Sequence, residues 1–392
     1  MIRALRGLLD VIRSLLSRLA PAALLLLAGC APGQIKQARL ALPCPAPGAL
    51  DASASGPTLF VARTNRSECR DGAWVLSRER GDGPAFDLAR RGEKRWAFAF
   101  DDQNKWLATL KAQAASHSGP PRVLLYIHGF NNTPDEALDR ARRIALDADF
   151  KGPVVALVWP SQQGVFKFAA DETNNEWTQA YAVEVLRKLA GAGLELVLVS
   201  HSMGNRITAD ALLQLNERDP GLARRVRTVV LASPDLDAGT FDRDVARIFA
   251  GPERTVTIYA SSRDTALATS SRLHGYRRVG DLGCKFARLG RRPGKTESCY
   301  PRIEGAGEVR VIDTSAVSDS PFGHSDFIAS PAASADLCRV INGHADTKLG
   351  RTAIPGFAGV FALDASAAAR GDCPDADPPP PPKLKNGRKT VR

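Results

Sequence analysis

The chain has 392 residues, of which 44% are hydrophobic and 24% charged, with a formal net charge of +11 at pH 7. These are the proportions of a globular protein with a sizeable core, long enough for one large α/β domain or two ordinary ones. The basic excess excludes little by itself, because Arg3, Arg6, Arg13 and Arg18 lie near the start and Lys383, Lys385, Arg388, Lys389 and Arg392 near the end, and no DNA- or RNA-binding motif accompanies them.

The N-terminal arginines precede the apolar run APAALLLLA (20–28), which ends in Leu27-Ala28-Gly29-Cys30. A basic segment, a short apolar stretch and small residues before a cleavage point read as an export signal, and the run is too short to span a bilayer. The LAGC ending resembles the lipobox of bacterial lipoproteins. That resemblance implies that residues 1–29 are a signal peptide and that Cys30 carries lipid. Ala31 after it implies outer-membrane anchoring in the cell envelope, on the periplasmic side. With Cys30 set aside, Cys44, Cys69, Cys284, Cys299, Cys338 and Cys373 remain. Their proximity suggests the disulfides Cys44–Cys69, Cys284–Cys299 and Cys338–Cys373, although six cysteines allow other connectivities. None of them has metal-site spacing, so no metal or other cofactor is expected.

Residues 30–57, rich in Ala, Pro and Gly, read as a tether. TLFVAR (58–63) and AWVLSR (73–78) read as short strands, RWAFAF (95–100) as a half-buried strand, and the DDQNKWLATLKAQAA that follows has helical spacing. Buried strands then recur at VLLYIH (123–128), VVALVW (154–159), ELVLVS (195–200), VRTVVLAS (226–233), RTVTIYA (254–260) and EVRVID (308–313). Helices fit between them at 134–149, 177–190 and 203–217; the first has Thr133 as N-cap, Pro134 at the first helical position and Glu136 completing a capping box. β-Branched runs alternating with amphipathic helices predict a mostly parallel central sheet with helices on both faces. The domain is expected over 58–372, with a stapled insertion at about 272–305. A Pro-rich basic tail (373–392), expected to be disordered, follows.

Where ELVLVS meets MGNRITAD, Ser202 stands at a sharp strand-to-helix turn of the nucleophile-elbow kind, with Ser200 in place of the first Gly of G-x-S-x-G and Gly204 in place of the second. Acyl transfer also needs donors for the oxyanion, expected from the backbone N–H groups of Met203 and of Phe130 in YIHGFNN. His128 in that loop reads as structural. The acid should end a strand after the nucleophile. Asp264 follows the second such strand and is preferred to Asp235 and Asp237 of LASPDLDAGTF. The base should follow the last strand; His324 in SPFGHSDF fits, with His344 as fallback, whereas His117 comes too early, His201 sits inside the elbow and His274 reads as packed on the next helix. The order Ser202, Asp264, His324 is that of a Ser…Asp…His triad.

The set YIHGFNN, LVSHSMGNR, LASPDLDAGTF, YASSRDTAL and FGHSDF resembles the α/β-hydrolase superfamily, in particular an uncharacterised esterase-like branch of bacterial, partly exported proteins, over roughly residues 58–345. The resemblance implies the α/β-hydrolase fold and a serine-hydrolase mechanism acting on an ester or acyl-containing small molecule or lipid. An acyltransferase on the same triad and an inert envelope scaffold are the alternatives. The role of the Cys284–Cys299 insertion stays open between a lid and a surface loop.

Overall fold

The computed structural model describes residues 44, 56–92, 95–100, 102–117, 119–246, 254–283, 300, 309–368 and 373. The leader, Cys30, most of the tether, the Cys284–Cys299 pair and the basic tail beyond Cys373 lie outside the described residues.

Eleven strands form one sheet: β1 (Thr58–Arg70), β2 (Ala73–Arg91), β3 (Trp96–Phe100), β4 (Arg122–Ile127), β5 (Val154–Val158), β6 (Glu195–His201), β7 (Val226–Ala232), β8 (Thr255–Ala260), β9 (Val309–Asp313), β10 (Arg351–Ala353) and β11 (Val360–Leu363). Their spatial order is β10-β11-β9-β8-β7-β6-β4-β5-β1-β2-β3, and every pairing from β11 through β1 is parallel. The principal helices are α1 (Gln103–Ala115), α2 (Pro134–Asp147), α3 (Phe168–Gly191), α4 (Gly204–Arg218), α5 (Thr265–His274) and α6 (Pro331–Ile341). This is the expected mostly parallel sheet with helices on both faces.

Strand alternation divides the interior into two cores. Val123, Leu125 and Ile127 of β4 face one core with Trp106 of α1, Leu186 of α3 and Leu212 of α4. Leu124 and Tyr126 face the other, with Leu138 and Ile144 of α2 and Leu337 of α6. With both faces covered, the central strands carry no polar alternation, which is why they read as continuous apolar runs. The capping box is formed as expected: Glu136 N–H donates to Thr133 Oγ1 at 3.1 Å and Thr133 N–H to Glu136 Oε2 at 2.8 Å.

Three features differ from the sequence reading. The two short strands at 58–63 and 73–78 are parts of a long antiparallel hairpin whose turn, Asp71-Gly72, has φ of 51° and 75°, the two positive values a tight primed turn needs. The helix expected from 177 begins at Phe168. Strands β10 and β11 extend the sheet past β9. Two of the three expected disulfides are present, Cys44–Cys69 and Cys338–Cys373.

Candidate active site

β6 ends at His201 and α4 begins at Gly204, so Ser202 occupies the turn at the C-terminal edge of the parallel strands. Its φ is 53°, a left-handed conformation that costs a non-glycine residue roughly 1–3 kcal/mol and persists only where neighbours over-determine it. Here they do. Ser202 N–H donates to Ala232 O at 3.0 Å, and Ser202 O accepts from Asn205 N (3.1 Å), Asn205 Nδ2 (2.8 Å) and Asp235 N (3.2 Å). Ser200, fully buried, donates its hydroxyl to Asn205 Oδ1 at 2.7 Å, so the residue replacing the usual Gly steadies the side chain that grips the Ser202 carbonyl. Gly204 meets the other steric demand. A Cβ there would lie 2.4 Å from His128 O and 2.8 Å from Ile127 O, so only glycine lets α4 approach β4 this closely.

The loop after β4 lies against the elbow. A Cβ on Gly129 would fall 2.8 Å from Ser202 Cβ, which fixes how near this loop stands to the serine. Asn132 Nδ2 donates to Gly129 O (3.1 Å) and Phe130 O (2.8 Å), and Asn131, at φ 59°, accepts Gly164 N–H on Oδ1 at 2.8 Å. Among the described residues neither Phe130 N–H nor Met203 N–H has a protein acceptor, leaving both available to a ligand oxygen. His128 is structural, as expected. Its Nδ1 donates to Gly129 O at 2.9 Å, its Nε2 accepts Trp159 N–H at 3.1 Å, and its ring stacks on Trp159. Burial lowers its pKa to about 4, so it is neutral.

Asp264 and His324 come together from sequence-distant loops: His324 Nδ1 lies 2.7 Å from Asp264 Oδ2, with the Asp264 side chain fully buried. Asp264 also caps α5, accepting Leu267 N–H at 2.8 Å. Burial raises its pKa, and the charge and hydrogen bond of His324 oppose that rise. No hydrogen bond joins Ser202 Oγ to His324 among the described residues; such contacts commonly tighten only with substrate bound. The two residues are connected through His201, whose Nε2 lies 2.9 Å from His324 O and whose ring centroid is 4.7 Å from the His324 ring.

The alternatives to this assignment are engaged elsewhere. Asp235 accepts Arg206 NH2 (3.0 Å) and Ser270 Oγ (2.7 Å) and pairs with Arg278; Asp237 caps a short turn through Thr240 N–H; His344 is exposed. His274 packs as expected, against Glu172 (Nε2 to Oε1, 2.7 Å) and the Phe168 ring, which in turn touches the Phe130 ring. Two contributors were missed in the sequence. Asn205, inside the MGNR segment, signals itself only as a buried amide at the first turn of a helix. His201 is visible as the residue before the nucleophile, but nothing local shows what its ring touches. Among the described residues no cluster of three or more His, Cys, Asp or Glu side chains is placed to hold a metal ion.

No curated protein matches the chain. Solved structures similar to it include an esterase from the fungus Rhizomucor miehei, at 10% identity over 74% of this chain and 84% of the other with a TM-score of 0.35. A putative hydrolase of the α/β superfamily from Xanthomonas campestris pv. campestris is similar at 14% identity, 56% and 98% coverage and a TM-score of 0.31. A Pyrobaculum calidifontis esterase is similar at 12% identity, 75% and 88% coverage and a TM-score of 0.37. The family model described as "alpha/beta hydrolase of unknown function (DUF900)" matches residues 101–341. That stretch is more than half of the chain and runs from the start of α1 to the end of α6, with Ser202, Asp264 and His324 inside it. The chain belongs to this α/β-hydrolase family.

Proposed function

We propose that the protein is a serine hydrolase that cleaves ester bonds with Ser202 as nucleophile, His324 as general base and Asp264 as its orienting acid. The observation that carries this reading is the Asp264–His324 hydrogen bond of 2.7 Å, made by a loop that is itself bonded to the residue beside Ser202. With Nδ1–H directed at the carboxylate, the lone pair of His324 lies on Nε2 and can take the Ser202 proton. Oγ then attacks the acyl carbon, and the carbonyl electron pair moves onto oxygen, where the N–H groups of Phe130 and Met203 would receive it. The alkoxide leaves with the proton from His324. Water, deprotonated by the same histidine, then releases the acid and restores Ser202. The Phe130–Phe168 pair beside the loop supplies an apolar wall suited to the acyl or alcohol part of the substrate.

The LAGC sequence supports the companion proposal that the enzyme is exported and held at the envelope by lipid on Cys30. A fluorophosphonate probe tests the first reading. The oxidised protein should be labelled at Ser202, and Ser202→Ala and His324→Ala should abolish labelling. An unlabelled, folded wild-type protein would favour an inert scaffold. Cys30→Ser tests the second, and membrane retention without Cys30 would refute it.

A further inference from the structure

One bond that places the base comes from outside the triad. His201 is buried at 3% exposure, one residue before the nucleophile. Its Nδ1 faces Arg140 NH1 at 3.2 Å, and its Nε2 faces His324 O at 2.9 Å. A guanidinium can only donate, so Nδ1 must accept, which leaves the ring proton on Nε2, where it is donated to the His324 carbonyl. The network thus selects one tautomer. The ring has little room to turn. It stacks on Phe327 with centroids 5.1 Å apart, and a Cβ on Gly129 would lie 3.2 Å from its Nδ1. Desolvation, with the nearby His324 and Arg140 charges, holds its pKa well below the ordinary histidine range, so the neutral form persists where the enzyme would work.

We infer that His201 is a positioning residue, whose Nε2–H···O bond to His324 fixes the loop carrying the base relative to the adjacent Ser202, with Arg140 selecting the tautomer able to donate. This rests on the hydrolase reading above. Asp264 sets the rotation of the His324 ring through its side chain, and His201 sets the position of the same residue through its backbone. Both are needed, because a displacement of about 1 Å at a reacting group costs on the order of 100-fold in rate.

Substitutions at His201 separate the bond from mere packing. In His201→Gln the side-chain amide nitrogen can take the place of Nε2 and still donate. In His201→Asn the amide ends near the position of Nδ1 and falls short. His201→Phe keeps the ring stack and loses the donor. Fluorophosphonate labelling is followed over probe concentration to separate maximal rate from probe affinity, with thermal unfolding as the check on folding. The expected result is a maximal rate reduced about 10- to 100-fold in Asn and Phe at unchanged probe affinity, with Gln within a few-fold of wild type. Equal rates in all folded variants, or a Gln variant as slow as Asn, would overturn the inference while leaving the hydrolase reading intact. A wild-type protein that does not label fails that reading instead. If the His201 variants do not fold, Arg140→Met releases the tautomer and should slow labelling several-fold; an unchanged rate there would overturn the inference too.

Discussion

Restoring the usual glycine at the elbow should weaken the protein. Ser200 and Asn205 are both fully buried, and the Ser200 hydroxyl supplies the 2.7 Å hydrogen bond to Asn205 Oδ1. Ser200→Gly removes that donor and leaves a buried amide oxygen unpaired, at about 1–3 kcal/mol. The added backbone freedom of glycine inside a strand costs a further ~0.5–1 kcal/mol. The expected loss is therefore about 1.5–4 kcal/mol. Ser200→Ala removes only the bond, so it should lose about 1–3 kcal/mol and lie between wild type and the glycine variant. The damage should spread to Ser202, because Asn205 Nδ2 also holds Ser202 O at 2.8 Å and Ala232 O at 3.1 Å. Urea unfolding of the oxidised proteins measures this directly, as a lowered midpoint at unchanged slope. A glycine variant as stable as wild type would refute the reasoning. An alanine variant of wild-type stability would show that the Ser200–Asn205 bond contributes nothing.

Asp264→Asn preserves shape but removes the charge that selects the His324 tautomer, so labelling should fall by about 10⁴-fold, and a rate within tenfold of wild type would exclude Asp264 as the acid. Gly204→Ala drives a Cβ to 2.4 Å from His128 O, a backbone atom that cannot rotate away, and should cost about 3 kcal/mol by thermal unfolding. Gly191→Ala at the end of α3, where nothing lies within 4 Å, is its neutral or slightly stabilising control. His128 has its pKa lowered by burial from 6.5 to about 4, so the unfolded chain binds a proton in that window that the folded chain does not. Its contribution to stability is present above pH 6.5 and is lost as pH falls toward 4, with a slope of up to about 1.4 kcal/mol per pH unit. Asp87, raised to about 6 by burial, acts with the opposite sign below that value, so the measurement is a difference: the stability of wild type relative to His128→Gln should rise with pH between about 4 and 6.5, and a difference that does not change with pH would refute the assignment.

What could be read in the sequence follows from what is buried. The central strands and the start of α2 were legible because apolar runs and a Thr-Pro-x-Glu cap carry their own signal. The first half of α3 was not, although its periodicity is plain in the structure: Asp171, Asn174, Asn175 and Thr178 are its buried face. That face is polar because it packs on loop backbone and not on the core. Asp171 accepts Ser161 Oγ and Gln162 N–H, both at 2.5 Å, Asn174 Nδ2 donates to Pro160 O at 2.7 Å, and Asn175 Nδ2 to Met203 O at 3.0 Å. A pattern sought in hydrophobic residues passes over a helix whose task is to hydrogen-bond the site's loops. β10 and β11 escaped for a different reason: strands of three and four residues acquire their meaning only from β9 beside them.

The same distinction, between what a residue is and what it faces, separates the histidines around the site. Four lie near it, and chain position alone ordered them. His128 has its proton on Nδ1 and its lone pair occupied by Trp159 N–H. His201 has its lone pair occupied by Arg140 and its proton committed to His324 O. His274 meets an acceptor at each nitrogen, Ser270 O at Nδ1 and Glu172 at Nε2, so both nitrogens are engaged. Only His324 combines a carboxylate on one nitrogen with no partner, among the described residues, on the other. A general base needs that unoccupied lone pair next to a charge that stabilises the imidazolium. His128 and His201, buried and without a carboxylate partner, would lose far more by protonation than they could contribute, so their place is in the frame that holds His324, the proposed base.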